Sequence, residues 1–145
     1  MSYLSLHNVS KSYRGPGGVP LPVLKDVSIE VAEGEFIAIV GYSGTGKTTL
    51  INLLAGLARP DEGSVTHCGQ PVRGPSPERA VVFQNYSLLP WLSASGNIHL
   101  AVRASHRGAS PEECRGKVAA AVDLVRLRHA AERLPRQLSG GMRQR

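Results

Sequence analysis

The sequence predicts an α/β fold, and three features carry that expectation. Short alternating segments near the N-terminus have strand character. The wholly apolar run FIAIV at 36–40 leads straight into a glycine-rich loop and an apolar helix. From about residue 93 apolar side chains recur at helical spacing. A length of 145 residues suits one domain with a sizeable core.

In chain order, Tyr3-Leu4-Ser5-Leu6 and Val27-Ser28-Ile29-Glu30-Val31 alternate as half-exposed strands do. Between them GPGGVPLP (15–22) is a turn-rich connection expected to continue neither element. Phe36-Ile37-Ala38-Ile39-Val40 is expected to be a central parallel strand covered on both faces. Residues 47–57 read as a helix that is apolar nearly all round and hence buried. RPDEG (59–63) is a turn before a strand at 64–68, GPSP (74–77) breaks the chain, and Val81-Val82-Phe83 reads as a short buried strand. Ser110-Pro111-Glu112-Glu113 has the form of a capping box with proline at the first helical position. Cys114, Val118, Ala121, Val122 and Val125 follow at helical spacing, and Leu134-Pro135 ends that unit. The sequence therefore divides into an α/β core over 1–92 and a helical portion over 93–145, without repeats or low-complexity tracts.

Composition narrows the function classes. Hydrophobic residues make up 41% and charged residues 19%, as in an ordinary soluble globular protein. The longest apolar runs, FIAIV and LINLLAGLA, fall well short of the roughly 18 residues a bilayer span needs. MSYLSLHNVSKSY lacks the basic start and apolar run of a signal peptide. Cys68 and Cys114 stand apart, as buried or idle thiols do in a reducing cytoplasm. The five histidines form no HxxxH or HExxH pattern, so no protein-ligated metal site is expected. Residues 1–100 hold seven basic and seven acidic side chains, whereas residues 101–145 hold ten against four, so the whole net charge of +6 lies in the helical portion. A nucleic-acid face, a solvated helical surface and a charge awaiting acidic partners all fit that excess. No aromatic interleaving or base-reading motif accompanies it, so no nucleic-acid partner is expected.

The strongest motif is GYSGTGKT: Gly41, Tyr42, Ser43, Gly44, Thr45, Gly46, Lys47 and Thr48 fit G-x-x-x-x-G-K-[ST]. Its glycines let the backbone curl so that successive amides point inward at phosphate oxygens. The helix starting near Lys47 adds the positive end of its dipole. Lys47 is expected to neutralise the β- and γ-phosphates and the Thr48 hydroxyl to ligate Mg²⁺, with Thr49 completing the ATP-binding set. Tyr42 is expected to turn toward packing rather than ligand. A chance match anywhere in a chain of this length is roughly one in two hundred. The sequence contains no NKxD, so nothing argues for guanine.

Two further segments point to a family. Val81-Val82-Phe83-Gln84 ends a candidate strand in a carboxamide, and Leu138-Ser139-Gly140-Gly141-Met142 follows the helical portion. With the phosphate loop, in this order and over essentially the whole chain, they resemble the ATP-binding subunits of ABC transporters. The resemblance implies a P-loop NTPase fold with an N-terminal antiparallel β portion and a helical subdomain. It implies that Gln84 ligates Mg²⁺ and senses the γ-phosphate, and that Tyr13 stacks on adenine. LSGGM resembles the family's LSGGQ signature, with Met142 in place of glutamine. It implies that residues 138–142 clamp the γ-phosphate of ATP held by a second ATP-binding subunit, in a head-to-tail dimer enclosing two ATPs. Transmembrane permease subunits and, indirectly, a substrate-binding protein are the other implied partners. The implied location is cytoplasmic and peripheral, on the inner face of the bacterial membrane. The run FQNYSLLPWL (83–92) resembles the subgroup serving nitrate, cyanate, taurine and alkanesulfonate import. Trp91 and Leu92 fit an apolar contact with the permease, and a buried tryptophan in the helical portion fits as well.

The resemblance also implies groups that residues 1–145 lack: an apolar strand ending in Asp-Glu, which supplies the Walker B aspartate and the catalytic glutamate, and a later switch histidine. The only Asp-Glu pair, Asp61-Glu62, lies in a turn. The fold is thus expected to be incomplete at its C-terminus, with Phe36-Val40 lacking a neighbouring strand, and this polypeptide alone is expected to bind ATP without hydrolysing it. Three readings stay open: a fragment of an importer ATPase, a non-catalytic ATP-binding or interaction module, and a non-functional truncated product.

Overall fold

The computed structural model describes residues 2–145, which form two compact units divided between Val81 and Val82. In the first, β1 (Leu4–Arg14), β2 (Pro20–Val31), β3 (Glu62–His67) and β4 (Gln70–Pro71) form one antiparallel sheet in the order β2-β1-β3-β4. Helix α1 (Lys47–Ala55) packs against it: Leu50 and Leu53 meet Leu6, Val9 and Val65 in the core. Gly56 ends α1 in the left-handed region, its N–H returning to the helix carbonyls.

Several elements differ from the sequence expectation, each for a physical reason. Pro20 and Pro22 lie inside β2 rather than in a loop. β2 is an edge strand, where a residue without N–H forfeits no inner ladder bond. Residues 36–40 form no strand: Phe36 is 91% and Val40 89% exposed, and only Ile39 tucks against the core. Strand propensity is not enough without a ladder partner, and none of the described residues pairs with this run. Val81-Val82-Phe83 likewise forms no strand, and Val82 is 91% exposed. Helix α1 is buried on one face only. Ile51 is exposed, and Leu57 lies beyond the C-cap and is also exposed, because the sheet covers just the Leu50-Leu53 side.

The second unit is helical. α2 (Ala94–Ser105) starts at Ser93, whose hydroxyl accepts the Gly96 N–H at 3.1 Å. α3 (Pro111–Leu124) starts with the expected capping box: the Glu113 N–H donates to Ser110 Oγ at 3.2 Å, and Ser110 N–H to Glu113 Oε2 at 2.7 Å. The hydrogen bond from the Ser110 N–H, and after it the Ser110 side chain, hold the Glu113 carboxyl below its ordinary value of 4.5. Cys114, Val118 and Val122 bury one stripe of α3, and Val118 and Val122 pack near Ile98 and Val102 of α2. Two 3₁₀ turns, Arg128–Ala130 and Pro135–Gln137, lead to α4 (Gly140–Gln144). Among the described residues no helix is long and apolar enough to cross a membrane.

Candidate nucleotide-binding site

The loop at 41–48 closes on its own lysine. Lys47 Nζ donates to the carbonyls of Gly41 at 2.8 Å and Tyr42 at 2.6 Å, and Thr45 Oγ1 donates to the Tyr42 carbonyl at 2.9 Å. Gly46, the last residue before α1, has φ +88°, and a Cβ there would lie 2.9–3.1 Å from Leu24 Cδ2, Val23 Cγ1 and the Val23 carbonyl. Conformation and close approach to β2 therefore both require glycine. No side chain caps α1. Among the described residues no acceptor takes the amides of Lys47, Thr48 or Thr49. Unsatisfied donors at the positive end of a helix, beside an ammonium, form a place for an anion. Thr48 is exposed and Thr49 is buried. Ser43 and Gly44 are exposed, whereas Tyr42 departs from expectation: its side chain is 89% exposed rather than packed, and its carbonyl is the part that holds the loop.

Tyr13 lies on the same part of the sheet. Lys11 pairs in register with Leu24 and Tyr13 with Leu21, so the ring sits beside the β2 segment on which Gly46 rests. The ring is half-exposed and lines a concavity of about 390 Å³ with Ser12, Arg14, Gly18 and Pro20. Asp61, read from sequence as a turn residue, is also a partner here. Its carboxylate accepts the Lys11 ammonium at 2.5 Å and the Ser12 N–H at 2.7 Å. The hydrogen bond from Lys11, then that from Ser12, holds its carboxyl below the usual aspartate value. Sequence spacing alone could not reveal this link, since Asp61 is some fifty residues from Lys11 along the chain.

Gln84, Leu138, Ser139, Gly140, Gly141 and Met142 belong to the second unit. Gln84 occupies an exposed turn. Ser139 is the N-cap of α4, its hydroxyl accepting the Met142 N–H at 3.3 Å, and Gly140 and Gly141 are the first helical residues. Leu138 is buried with Ala94 and Ala130, and the Met142 side chain packs against both apolar clusters of the unit. The residue that departs from LSGGQ is thus a packing residue. Tyr86 joins the two segments: Arg143 lies over its ring at 5.3 Å from the centroid, and its hydroxyl neighbours Gly140. Asn97, absent from the sequence expectation, fastens the intervening stretch. Its Oδ1 accepts the Leu89 N–H, and its Nδ2 donates to the carbonyls of Leu89, Leu92 and Ser93. Trp91 is 70% exposed, which removes the buried alternative for that ring.

A family described as ABC transporter matches residues 24–145. The nitrate import ATP-binding protein NrtD of Synechococcus elongatus is 48% identical over 143 residues, covering 99% of this chain and 52% of the relative. The bicarbonate transport ATP-binding protein CmpC of the same organism is 47% identical, covering 99% of this chain and 22% of the relative. The chain therefore spans between about a fifth and a half of the curated relatives it matches. A solved ATP-binding cassette, described as a dimer in a post-hydrolysis state bound to ADP and Pi, superimposes with TM-score 0.83 at 33% identity, over 97% of this chain and 65% of that one. A second dimeric structure, of a bacterial ABC transporter cassette, gives TM-score 0.82 over the same shares.

Proposed function

Because the chain belongs to the ABC transporter family, we propose that it is the ATP-binding part of an importer that couples ATP to uptake of a small anion. The observation that carries this reading is the loop at 41–48, where Lys47 is held on the Gly41 and Tyr42 carbonyls beside the uncapped start of α1. Ordered cation, amide donors and helix dipole suit the β- and γ-phosphates of ATP. Tyr13 supplies a ring for the base, and Thr48 and Gln84 supply oxygens for Mg²⁺. The bound ion would neutralise phosphate charge. These donors fit a hard cation that takes oxygen ligands and shares them with phosphate.

Ser139, Gly140 and Gly141, at the start of α4, are assigned to the γ-phosphate of ATP on a second copy, which gives a head-to-tail dimer. Exposed Trp91, beside the Asn97-fastened stretch, is assigned to the permease contact. The protein then works on the inner face of the cell membrane. The names of the relatives favour nitrate or bicarbonate as cargo, and cyanate, taurine and alkanesulfonates belong to the same test. Uptake of each anion is measured in a strain deleted for the gene. Loss of one, restored by the wild-type gene but not by a Lys47→Ala copy, is expected; normal uptake of all would refute the importer reading.

A further inference from the structure

We propose that Asp61 is a positioning residue for base recognition: through Lys11 and the Ser12 amide it fixes the irregular stretch of β1 that presents Tyr13 to the adenine ring. The proposal rests on the assignment of Tyr13 as the base-stacking residue.

β1 loses regular pairing just before Tyr13. Its register with β2 shifts between Val9 and Lys11 and again between Lys11 and Ser12. Such irregularities re-aim the side chains that follow them, and something must hold them in one geometry. The Ser12 N–H donates to Asp61 Oδ2 at 2.7 Å, and the Lys11 ammonium donates to Oδ1 at 2.5 Å. One carboxylate thus bridges the two residues preceding Tyr13. Asp61 is itself anchored, its N–H donating to the Ser10 carbonyl at 2.9 Å. The turn can approach this closely because Gly63, at φ +77°, lies where any Cβ would come within 2.3 Å of the His7 and Asn8 carbonyls.

The same pair places a cation on the ring. Lys11 Nζ lies over Tyr13, 5.6 Å from the centroid, and its side chain is only 16% exposed. Lysine has a flexible four-carbon stem, so without the carboxylate the ammonium would not keep this position. A cation over one face of an aromatic ring is attracted to its π-electrons. The opposite face remains for an aromatic base to stack on. Replacing the Asp61 carboxylate by an amide leaves one neutral oxygen where two charged ones served Lys11 and Ser12, so the ammonium would be released and Tyr13 would lose its fixed aim.

The test separates base from phosphate recognition. ATP and inorganic tripolyphosphate, which keeps the phosphates and omits the base, are titrated into the full chain as wild type, Asp61→Asn, Tyr13→Ala and the double variant. Asp61→Asn is expected to raise the Kd for ATP about three- to tenfold while leaving that for tripolyphosphate unchanged. In the Tyr13→Ala background it is expected to add nothing. Equal weakening of both ligands, no change for ATP, or a full additional effect on top of Tyr13→Ala would overturn the proposal. If Tyr13→Ala leaves ATP and tripolyphosphate affinities both unchanged, the stacking assignment itself falls, and the positioning role with it. If Tyr13→Ala weakens ATP alone and Asp61→Asn does nothing, only the positioning role falls. Lys11→Met carries the same test through the other end of the pair should Asp61→Asn fail to fold; an unchanged ATP affinity there also overturns the proposal.

Discussion

Lys47 places two of its ammonium protons on the carbonyls of Gly41 and Tyr42, so its position is set before any ligand arrives. Preorganisation of this kind lowers the ordering cost of binding. Gly46 makes the arrangement possible, and Gly46→Ala is expected to destabilise the first unit by about 1–3 kcal/mol, read as a lower urea midpoint. That substitution is also expected to raise the Kd for ATP, because the loop must move to relieve the contact with Val23 and Leu24. Asn97 has a comparable role in the second unit. Asn97→Ala takes the side-chain partner from the Leu89 N–H and the Leu92 carbonyl, while the Leu89 and Ser93 carbonyls keep the Leu92 and residue-97 amides, and it is expected to lower stability by about 1–3 kcal/mol. The 41–48 loop could be singled out in the sequence because its motif is a matter of local spacing, and its phosphate role is what we propose. Asp61 and Asn97 could not: Asp61 acts across two strands distant in sequence, and Asn97 on a loop path that no residue pattern announces.

At the level of elements, local signals held where the element needs only itself. The α3 capping box was readable from Ser110-Pro111-Glu112-Glu113 because both hydrogen bonds close within four residues. Its pH dependence follows from the sign of the shift. Folding holds the Glu113 carboxyl below its ordinary value, so this contribution is full above about pH 4.5 and is lost as pH falls through the lower folded value. Thermal melts should therefore show Glu113→Gln less stable than wild type near neutral pH, with the difference closing in acid. A gap that persists unchanged at about pH 3 would assign the effect to packing instead. Strands followed a different rule. Phe36-Ile37-Ala38-Ile39-Val40 and Val81-Val82-Phe83 have strand composition, yet a strand exists only where another offers a ladder, and neither run is paired. Pro22 entered β2 for the complementary reason, since an edge position tolerates it.

At the scale of the molecule, each unit has its own apolar core, while Phe36, Val40 and Val82 leave apolar surface uncovered. Large exposed apolar side chains promote association. The 145-residue polypeptide is therefore expected to self-associate with rising concentration, and Phe36→Lys to reduce the light scattering. Scattering unchanged by that substitution would place the sticky surface elsewhere. Amides of residues 36–40 should also exchange hydrogen faster than those of β1, which pairs on both sides. The central claim, that residues 41–48 are a triphosphate site, is met most directly by equilibrium binding of Mg-ATP to the full chain and to its Lys47→Ala variant. Saturable binding by wild type, weakened about tenfold or more in the variant with the melt unchanged, is the predicted result. Equal affinity of the two proteins would contradict it.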